Sequence, residues 1–106
     1  MPNRKDICTV VCDEYIYVIG GRTREGSACP SVFKVNPCNG DGTERDSMAE
    51  GRYSASAVTV GHEIFVFGGG NNRGVLATCE KYSPSKDKYV LLSYTMFNSS
   101  KYHSGY

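Results

Sequence analysis

Tyr15-Ile16-Tyr17-Val18-Ile19-Gly20-Gly21 recurs, almost residue for residue, as Glu63-Ile64-Phe65-Val66-Phe67-Gly68-Gly69. Tyr17 and Phe65 stand 48 positions apart, and so do Gly20 and Gly68. A run of β-branched and aromatic residues that stops at a glycine pair reads as a strand followed by an abrupt change of backbone direction. Its recurrence at a period of a few tens of residues marks an array of supersecondary units and sets the frame for every other residue.

The frame extends along the chain. At the same offset Arg4 falls on Arg52, and Ile7-Cys8-Thr9-Val10 on Ala55-Ser56-Ala57-Val58. One deletion shortens the offset to 47, so that Val32-Phe33-Lys34-Val35-Asn36-Pro37 falls on Cys79-Glu80-Lys81-Tyr82-Ser83-Pro84. One insertion restores 48 and brings Met48 onto Met96. Each unit then reads as four short strands, placed in the second unit at 54–60, 63–68, 77–83 and 88–93. Gly61-His62 and Pro84-Ser85-Lys86-Asp87 supply the reversals between them. In the first unit, Cys38-Asn39-Gly40-Asp41-Gly42-Thr43-Glu44 is rich in glycine, which predicts an outer strand that is short, loose or absent. Ile64-Phe65-Val66-Phe67 does not alternate, as expected of a strand covered on both faces. No stretch of a dozen residues carries an apolar stripe at helical spacing, so the fold class is all-β.

Composition narrows the partners. The 106 residues carry a net charge of +1 with 22% charged residues, which gives no global field for nucleic acid or a membrane surface. No apolar run approaches the ~20 residues of a bilayer-spanning helix, and no secretory signal is visible. Cys8, Cys12, Cys29, Cys38 and Cys79 contain no Cys-x-x-Cys pair, and His62 and His103 stand far apart, so a zinc site is not indicated. Free, mostly buried thiols in a reducing, cytoplasmic setting are expected.

These features resemble the kelch repeat. The carriers are Met48-x-x-x-Arg52, Ile64-Phe65-Val66-Phe67-Gly68-Gly69, Glu80-x-Tyr82-x-Pro84 and the aromatic Tyr89 ahead of Met96. The resemblance implies two four-stranded antiparallel blades of a partial β-propeller, at 1–48 and 49–96. Residues 97–106 then begin a third repeat, where Lys101-Tyr102-His103-Ser104 echoes Arg52-Tyr53-Ser54-Ala55. Two departures stand out: Tyr89 occupies a place that the family usually gives to tryptophan, and the first unit has only Gly42 there. Propellers close with roughly four to eight blades. Two blades leave two faces bare, so the chain is expected to be part of a larger protein, a self-associating unit, or a truncated and inactive product.

The resemblance also implies function. Such domains bind a protein or peptide ligand at the mouth of the ring. In kelch-like adaptors they recruit substrates to a cullin ubiquitin ligase through a separate BTB domain, and other kelch proteins bind actin. Arginines at the place of Arg4 and Arg52, and just after the glycine pair as at Arg22 and Arg73, are either fold residues or ligand contacts. A guanidinium suits the second role because its planar fork grips a carboxylate. The loops 22–30 and 71–77 differ from one another and sit where recognition usually lies. The candidate contacts are Arg22, Arg24, Glu25, Arg52, Asn71, Asn72 and Arg73. The glycine pairs read as scaffold, since no helix follows to hold a phosphate. No catalytic constellation, metal or cofactor is indicated. The alternative from another class is a piece of a kelch-type copper oxidase, whose ligands are Tyr, His and a bridged Cys.

Overall fold

A computed structural model describes residues 4–92, so the third repeat expected at 97–106 lies outside the described residues. The first sheet holds β1 (Cys8–Cys12), β2 (Tyr15–Ile19), β3 (Val32–Val35) and β4 (Gly42–Arg45) in sequential antiparallel order. The second holds β5 (Ser56–Val60), β6 (Glu63–Phe67), β9 (Cys79–Ser83) and β10 (Lys88–Leu92), again antiparallel. Between β6 and β9 a two-residue ribbon pairs β7 (Gly70–Asn71) with β8 (Gly74–Val75). The described residues form two four-stranded blades and no helix.

The strand ends follow from backbone conformation. Ser54 has φ 56°, outside the extended region, so the strand expected from 54 begins only at Ser56. Gly68, at φ 59°, stops β6 at Phe67. The outer strand of the first unit is short, at four residues, but it is present and paired along its full length with β3. Glycine at its first position does not prevent a ladder, because the backbone alone supplies the bonds.

The sheets pack face to face. Cys8, Cys12, Tyr17, Ile19 and Val32 of the first sheet meet Ile64, Val66 and Tyr82 of the second, with Met48 from the linker completing the core. Ala55, Ala57 and Tyr89 pack at its margin. Cys8 and Cys12 are buried on one face of β1, and all five thiols are free; Cys29 is half-buried and Cys38 exposed. The covering of Ile64-Phe65-Val66-Phe67 on both faces is not found. Ile64 and Val66 are buried against the first sheet, whereas Phe65 and Phe67 point the other way and are half-buried. A strand needs a sheet on each side to lose both faces, and here there is one.

The seam beside the missing tryptophan is filled by tyrosines. Tyr17 meets Tyr82 edge-on at 5.8 Å between centroids, and Tyr82 stacks on Tyr89 at 4.4 Å. The Tyr82 hydroxyl accepts from Arg45 Nε at 3.0 Å and donates to Asp87 Oδ1 at 2.8 Å. Burial, reinforced by the Asp87 carboxylate, pushes that hydroxyl up to about 12. Arg45 also donates to the Pro84 carbonyl, which latches the last strand of the first sheet onto the second. By contrast, the Tyr89 hydroxyl is buried with no hydrogen-bond partner among the described residues. An unsatisfied buried hydroxyl costs stability, so Tyr89→Phe is expected to raise the unfolding free energy by about 1 kcal/mol. Urea unfolding of the two chains side by side checks this, and a loss on removing the hydroxyl would show that it has a partner.

Candidate protein-binding site

The glycine pairs define one rim of the molecule. Gly20 and Gly21, at φ 64° and 105°, turn the chain out of β2. The Gly20 N–H donates to the Ser31 carbonyl at 2.9 Å and the Gly21 N–H to the Arg52 carbonyl at 2.7 Å, so the pair joins the two sheets. A Cβ on Gly21 would stand 2.9 Å from the Lys5 carbonyl oxygen, and one on Gly69 would stand 2.6 Å from that of Tyr53. Close backbone approach is what both pairs provide.

Arg52 is not a contact residue. Its side chain is fully buried, and it donates to the Gly68 and Thr78 carbonyls at 2.9 and 3.0 Å. It also reaches Glu80 Oε2 at 3.1 Å. Glu80, equally buried, accepts from the Ala49 and Glu50 N–H groups at 2.6 and 3.1 Å. A desolvated guanidinium needs every donor matched, and this one is consumed by the scaffold.

Arg4, its counterpart in the first blade, differs in one respect. It donates to the Gly20 carbonyl at 2.8 Å, as Arg52 does to Gly68, but the place of Glu80 is taken by Phe33, whose ring lies 5.4 Å below the guanidinium. Among the described residues no carboxylate pairs with Arg4. Its Nη1 also contacts Cys29 Sγ at 3.0 Å. Burial pushes the Cys29 thiol up, yet hydrogen bonds with Ser31 and the Arg4 charge outweigh this and leave it below the usual range.

Arg4, Lys5, Arg22, Thr23 and Arg24 line a cleft of about 370 Å³ at this rim. Arg22 is held by stacking over the Tyr53 ring at 4.0 Å and by Asp6 at 3.3 Å. Antiparallel bridges of Arg22 to Lys5 and to Ala28 fix its backbone. Arg24 and Glu25 are exposed in the turn closed by the Gly26 N–H to the Thr23 carbonyl, and Glu25 is not among the cleft residues. Beside it, Ala28, Ala49, Glu50, Gly51, Asn71, Asn72 and Arg73 line a second cleft of about 430 Å³. Asn72 Oδ1 accepts from the Ala28 N–H at 3.0 Å, tying the loop of the second blade to that of the first. Asn71 Oδ1 accepts from the Arg73 N–H at 2.8 Å, and the Arg73 side chain is exposed.

Six of the seven candidate contacts thus lie in the two rim loops, and five of them line the clefts. Lys5 and Thr23 were missed. Lys5 precedes the first strand, and only its pairing with Arg22 brings it to the rim. Among the described residues no three His, Cys, Asp or Glu side chains gather as a metal-binding group. No helix there is long and apolar enough to cross a membrane.

The sequence profile of the Kelch motif matches residues 3–41 and 51–94. The chain belongs to the kelch motif family. Its two kelch blades are similar to Kelch-like protein 26 of Danio rerio, 29% identical over 88 residues, covering 78% of this chain and 14% of that protein. They are similar also to Kelch-like protein 26 of Mus musculus, 29% identical over 84 residues, covering 74% of this chain and 14% of the relative. The kelch blades thus match only about one seventh of the length of these curated relatives.

Proposed function

We propose that these kelch blades form part of a protein-binding module whose rim takes a carboxylate-bearing peptide segment. The observation that supports this reading is the cleft of Arg4, Lys5, Arg22 and Arg24, four cationic side chains that, among the described residues, have Asp6 alone as a paired carboxylate. Clustered guanidinium groups on a rigid backbone favour acidic ligands through charge-assisted bonds and raise the encounter rate. The module serves a non-enzymatic, cytoplasmic adaptor that delivers its ligand to a cullin ubiquitin ligase through a BTB domain; an actin-type partner is the other reading of the same class.

The rim is tested with a fluorescent peptide of alternating Asp and Gly, followed by anisotropy against a Ser-Gly peptide of equal length. The acidic peptide is expected to bind and the neutral one not. Arg24→Ala, an exposed position, is expected to weaken binding about fivefold to tenfold. Affinity also falls as salt is raised. Equal binding of both peptides, or an acidic peptide indifferent to Arg24, would remove the rim from consideration.

A further inference from the structure

One stretch of the rim carries a second pattern. Arg22-Thr23-Arg24-Glu25-Gly26-Ser27 places arginine five and three residues ahead of a serine hydroxyl. No other serine or threonine in the sequence has an arginine three places before it. Charge patterns of this kind are what protein kinases read in their substrates. Carboxylates beside the acceptor groove of a basophilic kinase grip the guanidinium forks, and this sets the register of the hydroxyl.

The fold puts the pattern within reach. The segment is a small surface hairpin between β2 and β3, and Arg24, Glu25 and Gly26 at its tip are exposed. A Cβ on Gly26 would meet nothing within 4 Å, so the tip has open space around it. Half-buried Ser27 stands across the hairpin from Thr23. Its carbonyl accepts from the Thr23 N–H at 2.9 Å, and its own N–H donates to Thr23 Oγ1 at 3.1 Å. With the Gly26 N–H to the Thr23 carbonyl, these bonds hold the hairpin below its tip. A surface turn held by so few bonds opens locally at small cost, which frees the extended stretch that a kinase takes. Thr23 lines the cationic cleft with Arg22 and Arg24 on either side of it, so charge added at Ser27, across the hairpin, enters the field of both arginines.

We propose that Ser27 is the phosphoacceptor of a basophilic serine kinase, and that its phosphate closes the rim to acidic ligands. In the transfer, Ser27 Oγ bonds to the γ-phosphorus of ATP and the bond from that phosphorus to the β,γ-bridging oxygen breaks. ADP leaves, and the hydroxyl proton passes to the kinase's carboxylate base. The product carries a charge of about −1.5 to −2 and three acceptor oxygens beside Arg22 and Arg24. It occupies, from within the chain, the guanidinium groups that an acidic peptide would use. The regulatory effect rests on the rim being an acid-binding site; the modification itself does not.

The whole chain, a purified kinase of the arginine-directed class and magnesium ATP supply the test. One phosphoryl group is expected, placed on Ser27 by fragment mass spectrometry. Ser27→Ala stays unmodified, and Arg24→Ala is modified at least about tenfold more slowly. The phosphorylated chain keeps the unfolding transition of the parent, and its affinity for the Asp-Gly peptide falls by about tenfold or more. Ser27→Ala taken through the same treatment binds that peptide as the parent does. Transfer to another residue, or no transfer, overturns the proposal. Transfer to Ser27 with unchanged peptide affinity overturns the regulatory effect. A parent that ignores the Asp-Gly peptide before any treatment overturns the acid-binding rim and the regulation with it, while mass spectrometry alone still decides Ser27.

Discussion

Glu80→Ala lowers the unfolding free energy by about 3 kcal/mol, the cost of taking from a buried cation the nearer and fully buried one of its two carboxylates, Glu50 remaining at 3.4 Å. Arg52 and Glu80 both have no solvent exposure, and the distance between them is 3.1 Å. Once the carboxylate is gone, the guanidinium has no water to turn to, and the N–H groups of Ala49 and Glu50 lose their acceptor as well. Apolar replacement of an isolated buried pair is often harmless, but here it is not expected to be. Changing both residues to Leu and Met still strands the Gly68 carbonyl, which Arg52 serves, and the N–H groups of Ala49 and Glu50, which Glu80 serves, although the Thr78 carbonyl keeps the Gly68 N–H. The double variant should remain at least about 2 kcal/mol below the parent. Chemical denaturation of both single variants and of the double variant decides this. A double variant as stable as the parent would show that the backbone bonds contribute nothing.

Gly20→Val is the second large effect, at about 3 kcal/mol or more. Two penalties combine at this position. The backbone sits at φ 64°, which a β-branched residue strongly resists, and the new Cβ would fall inside the van der Waals envelope of the Arg52 carbonyl oxygen. Retreat is blocked because the Gly20 and Gly21 N–H groups are both bonded, one within the blade and one across the seam. Gly26 provides the control. Its φ is 88°, but a Cβ there meets nothing within 4 Å, so Gly26→Ala should cost only about 1 kcal/mol. Thermal unfolding and limited proteolysis of the pair of variants separate the conformational penalty from the seam contact. Similar losses for Gly20→Val and Gly26→Ala would mean that the seam adds nothing.

The blades were legible because they occur twice. Gly20 and Gly68, and the strands before them, align without knowledge of any contact, and strand pairing follows from their order. Arg52 was not legible as a buried residue, although Glu80 lay in view within the same motif. Their meeting depends on the sheet order that sets β9 beside β6, and on a residue ahead of β5 folding back over both. The cationic cleft was hidden for a related reason. A net charge of +1 describes the whole chain, whereas Lys5 and Arg22 become neighbours only through one antiparallel bridge. The bare outer faces were expected from the blade count. Which residues stay half-exposed on them, Phe65 and Phe67 among them, needed the register of each strand.

Phe33 in the place of Glu80 has a meaning beyond its own blade. Arginine at the head of each repeat is a fixed cost of the fold, since it stitches the glycine turn to the strand ahead. Its charge is a free variable, set by one position in the third strand that needs no change in the backbone. A carboxylate there pairs with the arginine and buries it; an aromatic ring in the same place stacks under the arginine without pairing its charge. A tandem array can therefore write a pattern of charge around its opening, blade by blade, while every blade keeps the same architecture.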